Sequence, residues 1–532
     1  MRSDLELRKL MPWIVMVLVL LVLRLPSLAE PAGGDQGLYA YTGSRIMAGG
    51  VMYRDAWDQK PPAVAFLYGL MLTVWPHESV VAGADLAAAT LVALLLVRLG
   101  WMRFTRRIGL AAAGLFLLLG DPYLHRLSGI YVRGQCEPFI SLAVTVGVVL
   151  LAHPRRRAVH SLAAGTALAV AFWLKYNAAA YALPVVAASW FWSPHDPRDL
   201  RSRAADLLRI AIGFATVTVI VLGYFALNGA LNELRLATID YNVRYSQETY
   251  HGPGTIVRYL FTFPFERARV EFLWFLGGAG TLLLFPWRDA RSIVSLSWLA
   301  AAALSIAVNG SRDLPNYFVQ ADPPLALVAS AGLAALAHRG WTVRIATAAV
   351  LVAALARVGA EQPLWGLRLA GLPGLVENLQ YDLRFIRGRV DRQTYLERFR
   401  GQKHDVPEID ALVRYVAANT AAEDPIMVFG FSGGSVCWKS HRVSSSRFFW
   451  SRPVIIEFAA DHPGYGSAGL LSDLIARPPA IVALQKDEWG SREFFLDTPR
   501  LHAWLQEGYV LDHETRMFSV WRRTPLTRAT GN

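Results

Sequence analysis

The chain has 532 residues, 54% of them hydrophobic and only 18% charged, with a mean hydropathy of +0.31. A soluble enzyme of this length is rarely so apolar. The net charge of +12 sits in short clusters between apolar runs, which argues against a nucleic-acid partner, and the two cysteines, Cys136 and Cys437, define neither a disulfide framework nor a zinc spacing.

In chain order, Arg2, Arg8 and Lys9 precede an apolar stretch at 12–28. Ser27-Leu28-Ala29 also fits a signal-peptidase site, but an uncleaved first span is the better reading because so many spans follow. Further spans are expected at 80–98, 108–120, 137–152, 158–174, 177–193, 207–227, 271–287, 292–308, 317–337 and 342–358. The expected class is a polytopic α-helical membrane protein with about eleven transmembrane helices, occupying 1–358. A linker at 359–374, with paired Leu-Pro segments, leads to a water-facing α/β domain at 375–532. In that domain the pattern predicts helices over 407–419 and 499–507 and strands over 425–429, 480–484 and 516–522.

Orientation turns on 62–76, which is short for a span. If it lies in the interface, the cytoplasmic loops and N-terminus carry seventeen basic residues, while the short outer loops carry only Arg126, Arg133, Lys175 and Arg312. That asymmetry predicts a cytoplasmic N-terminus and an extracytoplasmic C-terminal domain. The expected location is a bacterial inner membrane.

With this orientation the unusual polar residues gather on the outer side. The first outer loop, 29–62, holds Gly33-Gly34-Asp35-Gln36-Gly37-Leu38-Tyr39, a half-apolar helix ending at Gly49-Gly50, and then Tyr53-Arg54-Asp55-Ala56-Trp57-Asp58-Gln59-Lys60-Pro61-Pro62. Asp35 and Asp58 also suit helix caps, and Lys60 a snorkelling interfacial lysine. Their company favours function: Asp35, Asp58, Lys60, Glu137, Lys175 and Arg312 all map near one surface, where ionisable groups at membrane depth are functional candidates.

These residues resemble the glycosyltransferase C superfamily, in particular bacterial protein O-mannosyltransferases and lipid A aminoarabinose transferases. The resemblance rests on Asp35 after the first span, the 53–62 string, Glu137 opening a later span, and Asn316-Tyr317-Phe318 ahead of Pro323-Pro324. It covers residues 10–360 by span order and the tail more weakly. Gln36, Gln59 and Asn316 depart from frequent Glu, His and His, which leaves a divalent cation possible and the metal site and sugar unspecified.

The resemblance implies transfer of a sugar from a polyprenyl-phosphate donor to an acceptor hydroxyl of a lipid, glycan or protein. Such a reaction needs a base, and Asp35 is the candidate. Lys60, with Arg312, Lys175 and Arg133, would neutralise the lipid phosphate. Glu137 would orient the acceptor or hold a cation of the Asp35 loop. Tyr39, Asp58, Tyr241, Asn316 and Tyr317 are candidates for sugar or acceptor contacts, although for Tyr241, Asn242 and Tyr245 in the long outer loop 228–270 loop packing is the better reading.

Two other functions fit parts of the sequence. A flippase or transporter of lipid-linked sugars would favour broken helices and midplane charges. Gly430-Phe431-Ser432-Gly433-Gly434 matches the nucleophile elbow of a serine acyl hydrolase, but no helix is evident after it. The run Trp438–Arg452, rich in aromatics and arginines, suits either a lid over the site or the floor on which the tail rests.

Overall fold

The computed structural model describes residues 2–124, 126–127, 130–131, 133–196, 198–248, 252–309, 314–336, 338–358, 371–401 and 404–524. Arg312 and residues 359–370 of the expected linker lie outside this set.

Among the described residues each of the eleven expected spans is largely helical, although the helix in 271–287 ends at Leu283. Five helices among the described residues are long and apolar enough to cross a membrane: Leu10–Ala29, Ser79–Arg103, Leu200–Leu227, Ala290–Val308 and Pro315–Leu336. Shorter apolar helices, including Cys136–Leu151, Ala158–Leu174 and Phe272–Leu283, complete the bundle. The chain is a multi-pass membrane protein. Small residues set close crossings: Gly100 lies on Gly109, and Gly280 on Gly332.

Segment 62–76 forms the helix Ala63–Val74, whose 12 residues reach only about 18 Å. It pairs with Gly34–Met47, the half-apolar helix expected in the first loop, and Gly43 meets Gly69 where they cross.

The tail carries a four-stranded sheet in the order Ile426–Phe429, Ile481–Gln485, Phe518–Arg523, Tyr509–Glu514. The first pair is parallel, with Ile426 opposite Ile481, and the other pairings are antiparallel. Both strands of the parallel pair are buried along their whole length, as expected where helices cover both faces. The expected helices appear as Val406–Asn419 and Pro499–Gly508. Several elements were not anticipated, among them short helices at Arg392–Leu396, Arg452–Ile455 and Ser491–Asp497. Others are the strand Tyr509–Glu514, the helix Gly466–Ala476 and the helix Gly433–Ser440. A helix Gly371–Ile386 also begins inside the expected linker.

The tail is joined to the first loop at many points. Trp57 donates its backbone N–H to the Arg447 carbonyl at 3.0 Å, and the Trp450 indole donates to the Trp57 carbonyl at 3.1 Å. The Ser444 N–H reaches the Tyr41 hydroxyl at 2.8 Å, and Lys439 pairs with Glu78 at 2.6 Å.

Candidate functional site

Asp35 stands in the first turn of Gly34–Met47, beside helix N–H groups that have no intrahelical partners. The glycines around it are required by contact. A Cβ at Gly34 would run into the Phe431 ring, and one at Gly37 would lie 2.8 Å from the Ser435 Cα. On the facing helix, a Cβ at Gly434 would lie 2.9 Å from the Leu38 Cα. Gln36 anchors the turn by accepting from the Gly33 N–H and donating to the Arg133 carbonyl.

The loop that follows is held from several sides. Tyr53, at φ +70°, donates its hydroxyl to the Lys60 carbonyl at 2.8 Å. Asn242 donates to the Gln59 carbonyl at 2.8 Å. Trp57 is fully buried against Tyr241, Trp450 and Phe458. These contacts fix the Lys60 backbone and leave its ammonium 5.4 Å from the Tyr39 ring centre.

Asp35 and Lys60 face one cavity of about 900 Å³. Among the described residues, neither the Asp35 carboxylate nor the Lys60 ammonium makes a hydrogen bond or ion pair. Burial alone would push Lys60 down, but Asp35 and Asp58 together hold it above the ordinary lysine range. Asp58 is buried, which raises its carboxyl against the opposing pull of Lys60, and it accepts from the Gln59 N–H at 2.7 Å.

Lys175 also lines the cavity, 2.7 Å from Glu137 and 4.2 Å from the Tyr317 ring centre. Glu137 therefore holds Lys175 rather than a cation of the Asp35 loop. Tyr241, Asn316 and Tyr317 line the cavity, as do Asn242 and Tyr245. Several polar atoms of lining residues are buried without a hydrogen-bond partner: Gln59 Oε1, Asn177 Oδ1, the Tyr241 hydroxyl and Asn316 Oδ1. Such orphans in a native interior call for a ligand or water to satisfy them. One wall is apolar, with Ile239, Val243 and Ile256, and two of these residues, Ile239 and Val243, are half exposed.

Four expected residues are not on the cavity wall: Glu137, which meets it only through Lys175, and Tyr39, Asp58 and Arg133. Tyr39 lies behind Lys60 and donates to Gln135 Oε1 at 3.3 Å. Asp58 is buried beneath the loop. Arg133, expected at the phosphate, is buried elsewhere, paired with Glu30 and donating to the Ser27 carbonyl at 2.7 Å. Among the described residues no three His, Cys, Asp or Glu side chains converge to hold a metal ion.

The tail closes the cavity with Phe431, Trp450, Arg452 and Trp489. Arg452 stands 3.1 Å from Glu248. Trp450 and Arg452 belong to the aromatic and arginine run flagged in the sequence, whereas Trp489 has no local signal. A helix does follow Ser432, contrary to expectation. Ser432 is nonetheless fully buried and off the cavity wall, with its N–H bonded to Gln485 at 2.8 Å, a poor setting for a hydrolytic nucleophile.

No protein-family model matches this chain, and no curated protein does. Among solved structures, the chain is similar to ArnT from Cupriavidus metallidurans bound to undecaprenyl phosphate, at 14% identity and a TM-score of 0.59, covering 97% of this chain and 98% of that one. It is likewise similar to ArnT in the apo state, at 16% identity and a TM-score of 0.57, over 96% and 98%. The fold is thus the one that the sequence resemblance implied.

Proposed function

We propose that this protein transfers a sugar from a polyprenyl-phosphate carrier to an acceptor hydroxyl at the extracytoplasmic face of the membrane. The observation that carries the proposal is an unpaired carboxylate and an unpaired ammonium, Asp35 and Lys60, facing one cavity with an apolar wall. The undecaprenyl phosphate bound by ArnT, which shares the fold over nearly its whole length, supports a lipid-phosphate donor.

In this mechanism the acceptor oxygen attacks the anomeric carbon of the donor sugar as its proton passes to the Asp35 carboxylate. The bond from that carbon to the phosphate oxygen breaks, and the electron pair leaves with the polyprenyl phosphate. Lys60 stabilises the charge that develops there, and Lys175 and Arg452 line the same cavity. The prenyl chain leaves the cavity past Ile239 and Val243. Asn177, Asn316 and Tyr241 supply the unpaired polar atoms that would read the sugar. The tail's aromatic side chains exclude water, which would otherwise compete with the acceptor.

The orientation rests on the loop charges: with 62–76 in the interface, the loops on the side opposite Asp35 and Lys60, with the N-terminus, carry seventeen basic residues. The test combines lipid analysis with one substitution. Mass spectrometry of lipids co-purified with the wild type should detect a polyprenyl-phosphate sugar. Asp35→Asn should retain that lipid while losing transfer about 10²–10⁴-fold, the usual contribution of a general base. Full activity in Asp35→Asn would remove Asp35 as the base.

A further inference from the structure

A second, smaller cavity of about 250 Å³ lies at the other end of helix Gly34–Met47, between the first loop and the tail. Arg45, Arg54, Arg447 and Arg477 line it, against two carboxylates, Asp55 and Asp473. Ser444, Ser445 and Ser446 complete its floor.

Both carboxylates are already engaged. Asp55 accepts from the Val51 N–H at 2.6 Å and stands 3.7 Å from Arg54, and Asp473 accepts from the Ser446 hydroxyl at 2.7 Å. The arginines are less well satisfied. Arg477 reaches the Ser444 carbonyl only at 3.5 Å, Arg54 donates to the Asn228 carbonyl at 3.2 Å, and Arg447 lies over the Phe448 and Tyr465 rings. Arg45 Nε is buried with no hydrogen-bond partner. The buried Ser445, 6% exposed, likewise leaves its hydroxyl unpartnered. An excess of guanidinium forks, an orphaned N–H and an orphaned hydroxyl form a pocket in which donors outnumber the two carboxylates.

We propose that this pocket binds a phosphate group. Arg45 lies ten residues beyond Asp35 on one helix, so the pocket sits about 15 Å from the proposed base. A phosphate held there belongs either to the acceptor, which the site would orient toward Asp35, or to the headgroup of an anionic phospholipid, which would seat the tail on the membrane. The acceptor alternative rests on the transferase reading above; the binding itself does not.

The test uses the purified full chain in detergent, titrated with inorganic phosphate and followed by calorimetry, alongside native mass spectrometry of retained phospholipid. The wild type should bind phosphate, and the double variant Arg54→Gln/Arg477→Gln should bind at least tenfold more weakly. These two side chains are exposed, so their loss should spare the fold, which circular dichroism checks. Any phosphate held by Lys60 in the larger cavity is a separate component of the titration, so Lys60→Ala should retain the component that Arg54→Gln/Arg477→Gln removes. Anionic phospholipid retained by the wild type and lost in the double variant identifies the headgroup as the source. Free phosphate binding without retained lipid identifies the acceptor or another soluble phosphate. Phosphate binding abolished by Lys60→Ala and untouched by Arg54→Gln/Arg477→Gln would overturn the proposal, as would no binding at all. Because the readout is binding, it stands or falls separately from any loss of sugar transfer.

Discussion

At the scale of single residues, Lys60 shows how a cation is prepared for an anion without being consumed by one. Burial disfavours its charged form, yet Asp35 and Asp58 more than compensate without any direct ion pair. A group whose acidity is weakened in this way keeps its proton as the pH rises. Donor affinity should therefore be flat from pH 7 to 10, with no loss where an ordinary lysine near 10.4 begins to titrate. Lys60→Ala should weaken donor binding about ten- to hundredfold, the equivalent of losing a charge-assisted hydrogen bond of about 1.5–3 kcal/mol. Equilibrium binding of a lipid-linked donor across that pH range measures both, and an unchanged affinity in Lys60→Ala would dismiss its phosphate role. Arg133 carries the opposite lesson. Its position in an outer loop made it a plausible phosphate ligand, but a loop assignment cannot say which way a side chain turns, and Glu30 with the Ser27 carbonyl takes it inward.

Among the elements, the decisive contact is between Gly34–Met47 and Gly433–Ser440, which touch at Gly37, Leu38, Gly434 and Ser435. Adding a methyl group at Gly37 forces the two helices apart. Gly37→Ala should cost about 1–3 kcal/mol by overpacking, lower the melting temperature and make the tail more susceptible to limited proteolysis. Unaltered proteolysis and activity would show that the tail is not seated through this contact. The helices of the membrane part were legible in the sequence because each announces itself by an uninterrupted apolar run. The 53–62 string was legible because its residue types are unusual at a membrane surface. What escaped was everything made by long-range approach. Trp489 and Phe431 reach the cavity from the ends of buried strands more than 390 residues beyond Asp35, and no local pattern marks them. The helix Gly433–Ser440 was missed because Gly-Gly and serines read as a turn, and packing on Leu38 overrides that preference.

For the whole molecule, the seam between tail and membrane part contains a buried histidine, and this makes its stability depend on pH. His404 is 1% exposed; burial, with Lys439 nearby, pushes its imidazole down to about 3, and its ring bonds to Ala32, just ahead of the Asp35 turn. In the unfolded chain the same ring would take a proton near pH 6.5. Between those values the unfolded state binds the extra proton, so acidification favours unfolding; the contribution is intact above about 6.5 and shrinks as the pH falls. At pH 5 the loss is about 2 kcal/mol. Glu78 in the same seam is held below the ordinary carboxylate range despite its burial, chiefly by Lys439, and stays ionised over this window. Glu30 and Asp58 are raised by burial and act with the opposite sign, so the raw slope of melting temperature against pH mixes several groups. The informative quantity is the difference between wild type and His404→Asn. The wild type should lose about 2 kcal/mol more than the variant between pH 7 and pH 5. Identical pH profiles would mean that His404 is reached by water and that the seam is not closed in solution. A closed seam matters for transfer, because the same docking brings Phe431, Trp450 and Trp489 over the carboxylate and ammonium and keeps water from taking the acceptor's place.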